Sequence, residues 1–194
     1  MNAYSVSFRT VSPLLLILAV LLAGARNHHF ASYTHLPDAS WAVFFLAGFY
    51  FRRVRELALL LAVAIISDYV AISGFGISDA CISPAYVFLL PAYGALWMAG
   101  AAYARYYRFE PETLLPLAGL AFLGTAACEL LSSGGFYFFS GRFAETSLAG
   151  FGERWLSYFP QSLAGVAFYL GFAVVTHIAV TLSRNGSVSN VHTH

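Results

Sequence analysis

The stretch Ser73-Gly74-Phe75-Gly76-Ile77-Ser78-Asp79-Ala80-Cys81-Ile82-Ser83-Pro84-Ala85-Tyr86 decides how this chain is read. It separates two long apolar runs, about Glu56–Ile72 and Ser83–Ala104. It holds two glycines, an acid, a cysteine, a proline that can open a helix, and a tyrosine. A polar turn between apolar runs of this length predicts two membrane helices and a connecting loop at the bilayer surface. Thiolates are soft metal ligands and strong nucleophiles. Cys81 is therefore expected to face a ligand pocket and to touch a metal there. A buried apolar cysteine, or a disulfide between Cys81 and Cys128, is the plainer reading of the same residue.

The composition agrees with a membrane protein. Of 194 residues, 59% are hydrophobic and 10% are charged, with mean hydropathy +0.71. Soluble domains carry roughly a quarter charged residues. The length suits one bundle, 1–185, followed by a polar tail, 186–194. The net charge of +1 gives no basic field for nucleic acid. Two cysteines make no disulfide framework. The apolar run after Arg9 resembles a signal peptide, but further runs follow, so it is taken as a first membrane helix.

Six apolar segments are expected to be helices: Val11–Ala25, Ala39–Val54, Glu56–Ile72, Ser83–Ala104, Glu112–Leu131 and Ser157–Leu182. A span needs about 20 residues, so the first two are short. The break between the second and third is marked only by Arg52-Arg53-Val54-Arg55. The fold class read from this is an all-α, polytopic membrane protein with a single bundle of six transmembrane helices.

All ten basic residues are arginines, and they set an orientation. With the N-terminus inside, Arg9, Arg52, Arg53, Arg55, Arg105, Arg108 and Arg184 lie inside, and Arg26, Arg142 and Arg154 outside. That bias predicts cytoplasmic termini and outer loops at 26–38, 73–82 and 132–156. The third loop is long and aromatic, as lids and binding loops often are. The outer face is expected to be the working face.

Candidate residues follow from that face. Asp68 lies inside an apolar run, where an acid is costly and functional by default; pairing with an arginine or with Tyr86 is its structural reading. Glu129 is similar but nearer the surface. His28 and His29 could bind a transition metal, or simply be a solvated loop. Arg154 could orient ligand oxygens through its fork of donors, or anchor the interface beside Trp155. Tyr86, Tyr93 and Trp97 share one helix face. Ala19 and Ala23, and Ala167 and Gly171, are small-xxx-small pairs that allow close helix packing. No Walker, HExxH, CxxC or GxSxG pattern is present, which excludes a built-in ATP motor and the matching hydrolases.

Three stretches carry a resemblance to a known family. They are His35-Leu36-Pro37-Asp38-Ala39-Ser40-Trp41 leading to Gly48-Phe49-Tyr50-Phe51-Arg52, then Ser67-Asp68-Tyr69, and Cys81-Ile82-Ser83-Pro84-Ala85-Tyr86. In these the chain resembles the BtuM family of small bacterial vitamin B12 (cobalamin) transporters. That family is similar to the S-components of energy-coupling-factor transporters. The resemblance implies an S-component-like bundle in the bacterial inner membrane that takes up cobalamin. It implies Cys81 as axial ligand to the cobalt. Asp68, Tyr86 and Arg154, each a polar residue on or near the outer end of a helix, are expected to converge with Cys81 within one ligand's reach, with His28 or His29 at the rim. The resemblance also implies a contact with a shared energy-coupling module through Ala19 and Ala23. Thiol-dependent loss of the upper cyanide ligand, with Cys81, Asp68, Tyr86 and Arg154 as the catalytic set, is the accompanying chemical expectation. The alternatives are an S-component for another vitamin, or a membrane thiol-redox enzyme using Cys81 and Cys128.

Overall fold

A computed structural model describes residues 8–28, 37–75 and 83–191, with side chains placed over 13–26, 37–74 and 83–184. All regular structure among the described residues is helical. The helices are α1 (Phe8–His28), α2 (Ser40–Tyr50), α3 (Val54–Phe75), α4 (Leu89–Tyr106), α5 (Leu114–Phe139) and α6 (Leu148–Val191). Successive helices alternate in direction. The Arg26 end of α1 meets the Asp68 end of α3, and Tyr50 of α2 meets His177 of α6 at the opposite end.

Two prolines open helices by one device. Ser83 and Glu110, each before a proline, are extended (φ −141° for both), because the proline ring disfavours helical backbone in the residue ahead of it. Pro84 and Pro111 then begin short 3₁₀ turns, Pro84–Phe88 and Pro111–Thr113, that lead into α4 and α5. The α2–α3 connection uses neither glycine nor proline. Arg52 makes the reversal with φ +53°, a left-handed backbone that costs a non-glycine residue about 1–2 kcal/mol.

The second expected span differs most from expectation. α2 has 11 residues, about 16 Å of helix, against roughly 30 Å of bilayer hydrocarbon. Seven of its residues are buried. α2 is a central pillar, and its apolar residues face protein on all sides. Its tightest contact is with α4. A Cβ added at Gly48 would lie 1.9 Å from the carbonyl oxygen of Trp97, and one at Gly100 would lie 1.9 Å from that of Phe45. Only paired glycines let the two backbones come this close. Phe44 also stacks on Tyr93 of α4, with centroids 4.3 Å apart. One core cluster, including Leu22, Phe44, Leu60 and Leu96, joins α2 to α1, α3 and α4. A second, including Phe45, Tyr103, Val166 and Leu170, joins it to α4 and α6.

Among the described residues, four helical segments are long and apolar enough to cross a membrane: Val54–Gly74, Pro84–Tyr106, Pro111–Phe139 and Leu148–Arg184. Their outward faces carry Ile66, Leu115, Phe172 and Val175, all well exposed. So wide an apolar exterior suits lipid rather than water. The expected outer loop 132–156 shrinks to 140–147. Ser133–Phe139 continue α5, and Gly150–Trp155 form the first turns of α6. Hydropathy placed that boundary by the polar and glycine residues, but helix propagation through them costs only about 1 kcal/mol per glycine. The helical backbone likewise continues to Val191, into the segment expected as a tail.

Candidate functional site

The polar residues at the Asp68 end form one connected cluster. Asp68 sits on α3, about two turns before Phe75. Its carboxylate accepts both Nε and Nη2 of Arg26 (2.5 and 2.7 Å) and the hydroxyl of Tyr86 (2.6 Å). The Nη1 group of Arg26 donates to the Tyr93 hydroxyl (2.6 Å) and to Oγ of Ser40 (3.3 Å). Ser40 in turn donates its hydroxyl (2.7 Å) and backbone N–H (2.8 Å) to Oδ1 of Asp38. That last pair starts α2, since a side-chain oxygen on a free N–H is what a helix N-terminus lacks. Arg26 belongs to the last turns of α1 and is 8% exposed. The two-toothed Arg–carboxylate geometry is the strongest form of such a pair.

The sequence placed Arg26 in an outer loop and Tyr93 only on a helix face shared with Tyr86 and Trp97. Both belong to this cluster. The available signal was an arginine at the edge of one apolar run and an acid inside another; a buried charge needs a partner of opposite sign.

The other site residues are placed as follows. Asp68 and Tyr86 come together, and the structural reading of Asp68 holds for both partners named, an arginine and Tyr86. Arg154 lies on α6 over three rings: Phe143 (4.9 Å to the centroid), Tyr158 (5.6 Å) and Tyr137 (5.9 Å). Those are cation–π distances. Its neighbour Trp155 stacks on Phe159 at 4.6 Å. Cys81 and His29 lie outside the described residues, and so does the His28 side chain at the end of α1. Cys128 is a free, fully buried thiol on α5; Cys81, its partner in the disulfide alternative, lies outside the described residues. Glu129, beside it, accepts the hydroxyls of Ser133 and Ser162 (2.7 Å to the latter), which ties α5 to α6. Ala19 packs against the core, and Ala23 is partly buried.

Chemically, Asp68 is held rather than poised. Three of about four lone-pair sites on its carboxylate are filled, so it positions Arg26 and Tyr86. The Tyr86 oxygen, as donor to Asp68, keeps acceptor capacity. The cluster therefore fixes Tyr86 in the turn that leads into α4. No family model matches the chain, and comparison with curated proteins finds no match.

Proposed function

We propose that the chain is a membrane-embedded cobalamin uptake protein, with Cys81 as axial ligand to the substrate's cobalt. The observation that carries the reading is a convergence. The three stretches behind the BtuM resemblance lie far apart in sequence. Asp38 and Ser40 from the first, Asp68 from the second and Tyr86 from the third share one hydrogen-bonded cluster. Tyr86 follows Cys81 by five residues. The cluster holds Asp68 and Tyr86, which flank Cys81 in sequence, in one fixed arrangement, and ligation of a metal by a side chain needs such support from its neighbours.

Orientation belongs to the same proposal. Arg52, Arg53, Arg55, Arg105, Arg108 and Arg184 stand toward the His177 end, which is assigned to the cytoplasm by the positive-inside rule. The Asp68 end then faces outward, in the bacterial inner membrane. Loss of cyanide is the accompanying step. Sulfur ligation from below donates density along the axis. An external thiol then supplies one electron to cobalt, gives up its proton to water or to the departing cyanide, and ends as half of a disulfide. Cyanide leaves as the anion with the Co–C electron pair.

The experiment is a visible spectrum of the purified chain mixed with cyanocobalamin, for wild type and Cys81→Ala. The expected result is a shifted, thiolate-ligated spectrum for wild type and an unshifted one for the variant. A variant that binds with the wild-type spectrum, or strips cyanide at the wild-type rate with added thiol, overturns the assignment of Cys81.

A further inference from the structure

The opposite end of the bundle holds a cavity that the cobalamin reading does not use. It measures about 280 Å³ and lies between α2, α4, α6 and the turn before α5. That is the low edge of the range for small-molecule sites, and far below what a corrin ring with its side arms occupies.

Its walls are aromatic. Phe49 stacks on Tyr103 (5.2 Å) and meets Tyr50 (4.7 Å) and Tyr107 (5.2 Å) edge to face. Faces and edges arranged this way accept a planar π-system. Arg108 and Glu110, both exposed, give the cavity one polar side.

Inside, His177 is held between two phenols. Nδ1 lies 2.9 Å from the Tyr50 hydroxyl and Nε2 lies 2.8 Å from that of Tyr107. A neutral imidazole carries one hydrogen and each phenol carries one. Two hydrogen bonds use two of these three hydrogens. The ring hydrogen can sit on either nitrogen; when it is on Nδ1, Tyr50 accepts it, and the O–H of Tyr50 is left to donate. Tyr50 lines the cavity. A hydrocarbon guest would leave that donor buried without an acceptor, at real cost.

We propose that this cavity binds a small, planar, mostly apolar molecule bearing a carbonyl acceptor, of the naphthoquinone class, and that the Tyr50–His177 pair reads the carbonyl. The sequence offers a supporting sign: His177 is an ionisable residue within the apolar stretch 163–182 of α6, which marks a candidate functional position.

The test uses the full chain in detergent and equilibrium dialysis, with protein-free micelles as baseline. The probe is 2,3-dimethyl-1,4-naphthoquinone, whose substituted ring carbons resist thiol addition. 2,3-Dimethylnaphthalene is the control of similar shape without carbonyls. Saturable quinone binding is expected, with the hydrocarbon at least threefold weaker. Ala173→Phe, which fills the cavity from α6 and replaces neither partner of the hydrogen bonds, is expected to abolish quinone binding. Tyr50→Phe and His177→Phe should weaken the quinone about three- to tenfold, the range for one hydrogen bond, and leave the hydrocarbon unchanged. Should His177→Phe fail to fold, the other two variants decide. No saturable binding, or binding unaffected by Ala173→Phe, overturns the site. Hydrocarbon bound as tightly as quinone overturns the carbonyl reading and makes the cavity an alkyl slot. Neither result bears on Cys81, whose cyanocobalamin spectrum is recorded separately.

Discussion

Gly48→Ala tests the packing that organises the bundle. The added Cβ would sit 1.9 Å from the Trp97 carbonyl oxygen and 2.8 Å from its carbon. Real Cβ atoms essentially never come within 3.0 Å of such a neighbour. The helices must part by about 1.1 Å, and both obstructing atoms are backbone, so no rotamer change relieves the clash. A gap of that size forfeits a quarter to a half of each dispersion contact beside it. Overpacking costs about 1–3 kcal/mol, and a rigid backbone obstacle puts this case near about 3 kcal/mol. Alanine returns up to about 1 kcal/mol of helix propensity. The net loss is about 2 kcal/mol, or about 4–8 °C in melting temperature for a chain of this length. Gly119→Ala is the control: it lies exposed on α5 with nothing within 4 Å of its added Cβ. It should gain up to about 1 kcal/mol. The assay is thermal unfolding in detergent, followed by a thiol-reactive fluorogenic dye in a Cys81→Ser background. Cys128, fully buried in the fold, then reports its loss. A Gly48→Ala melting point equal to or above that of its parent would refute the backbone-contact argument.

Three further outcomes are expected. Arg26→Met leaves the partly buried Asp68 without its cation and should cost about 3 kcal/mol, the low end for breaking a buried pair, while the double change Arg26→Met with Asp68→Leu should recover most of it; a double-mutant cycle on melting temperature measures this, and strictly additive losses contradict the pairing. Tyr86→Phe removes one hydrogen bond to a charged group and should cost about 1.5–3 kcal/mol, read by the same melt, with a loss under about 0.5 kcal/mol counting against the Tyr86–Asp68 contact. Cys128→Ala should leave the cyanocobalamin spectrum unchanged, because that thiol is sealed in the core, and a lost spectral shift would return Cys128 to the site.

The amino-acid sequence alone determined the class and most of the helices. Apolar runs of spanning length interrupted by Ser-Pro, Glu-Pro and arginine clusters specify helices locally, and composition is sufficient for that. It also marked Asp68 and Tyr86, because an acid within an apolar run stands out without any partner in view. The role of α2 was decided only in three dimensions. An 11-residue helix that is apolar on every side reads as lipid-facing or protein-facing alike, and only its neighbours tell which. Tertiary structure also chose Arg26 as the partner of Asp68, across 42 residues, and set Gly48 against Trp97. The aromatic cavity around His177 draws on α2, α4 and α6 together. Each of these depends on which faces of distant helices meet, a property of packing that hydropathy, read one segment at a time, does not contain.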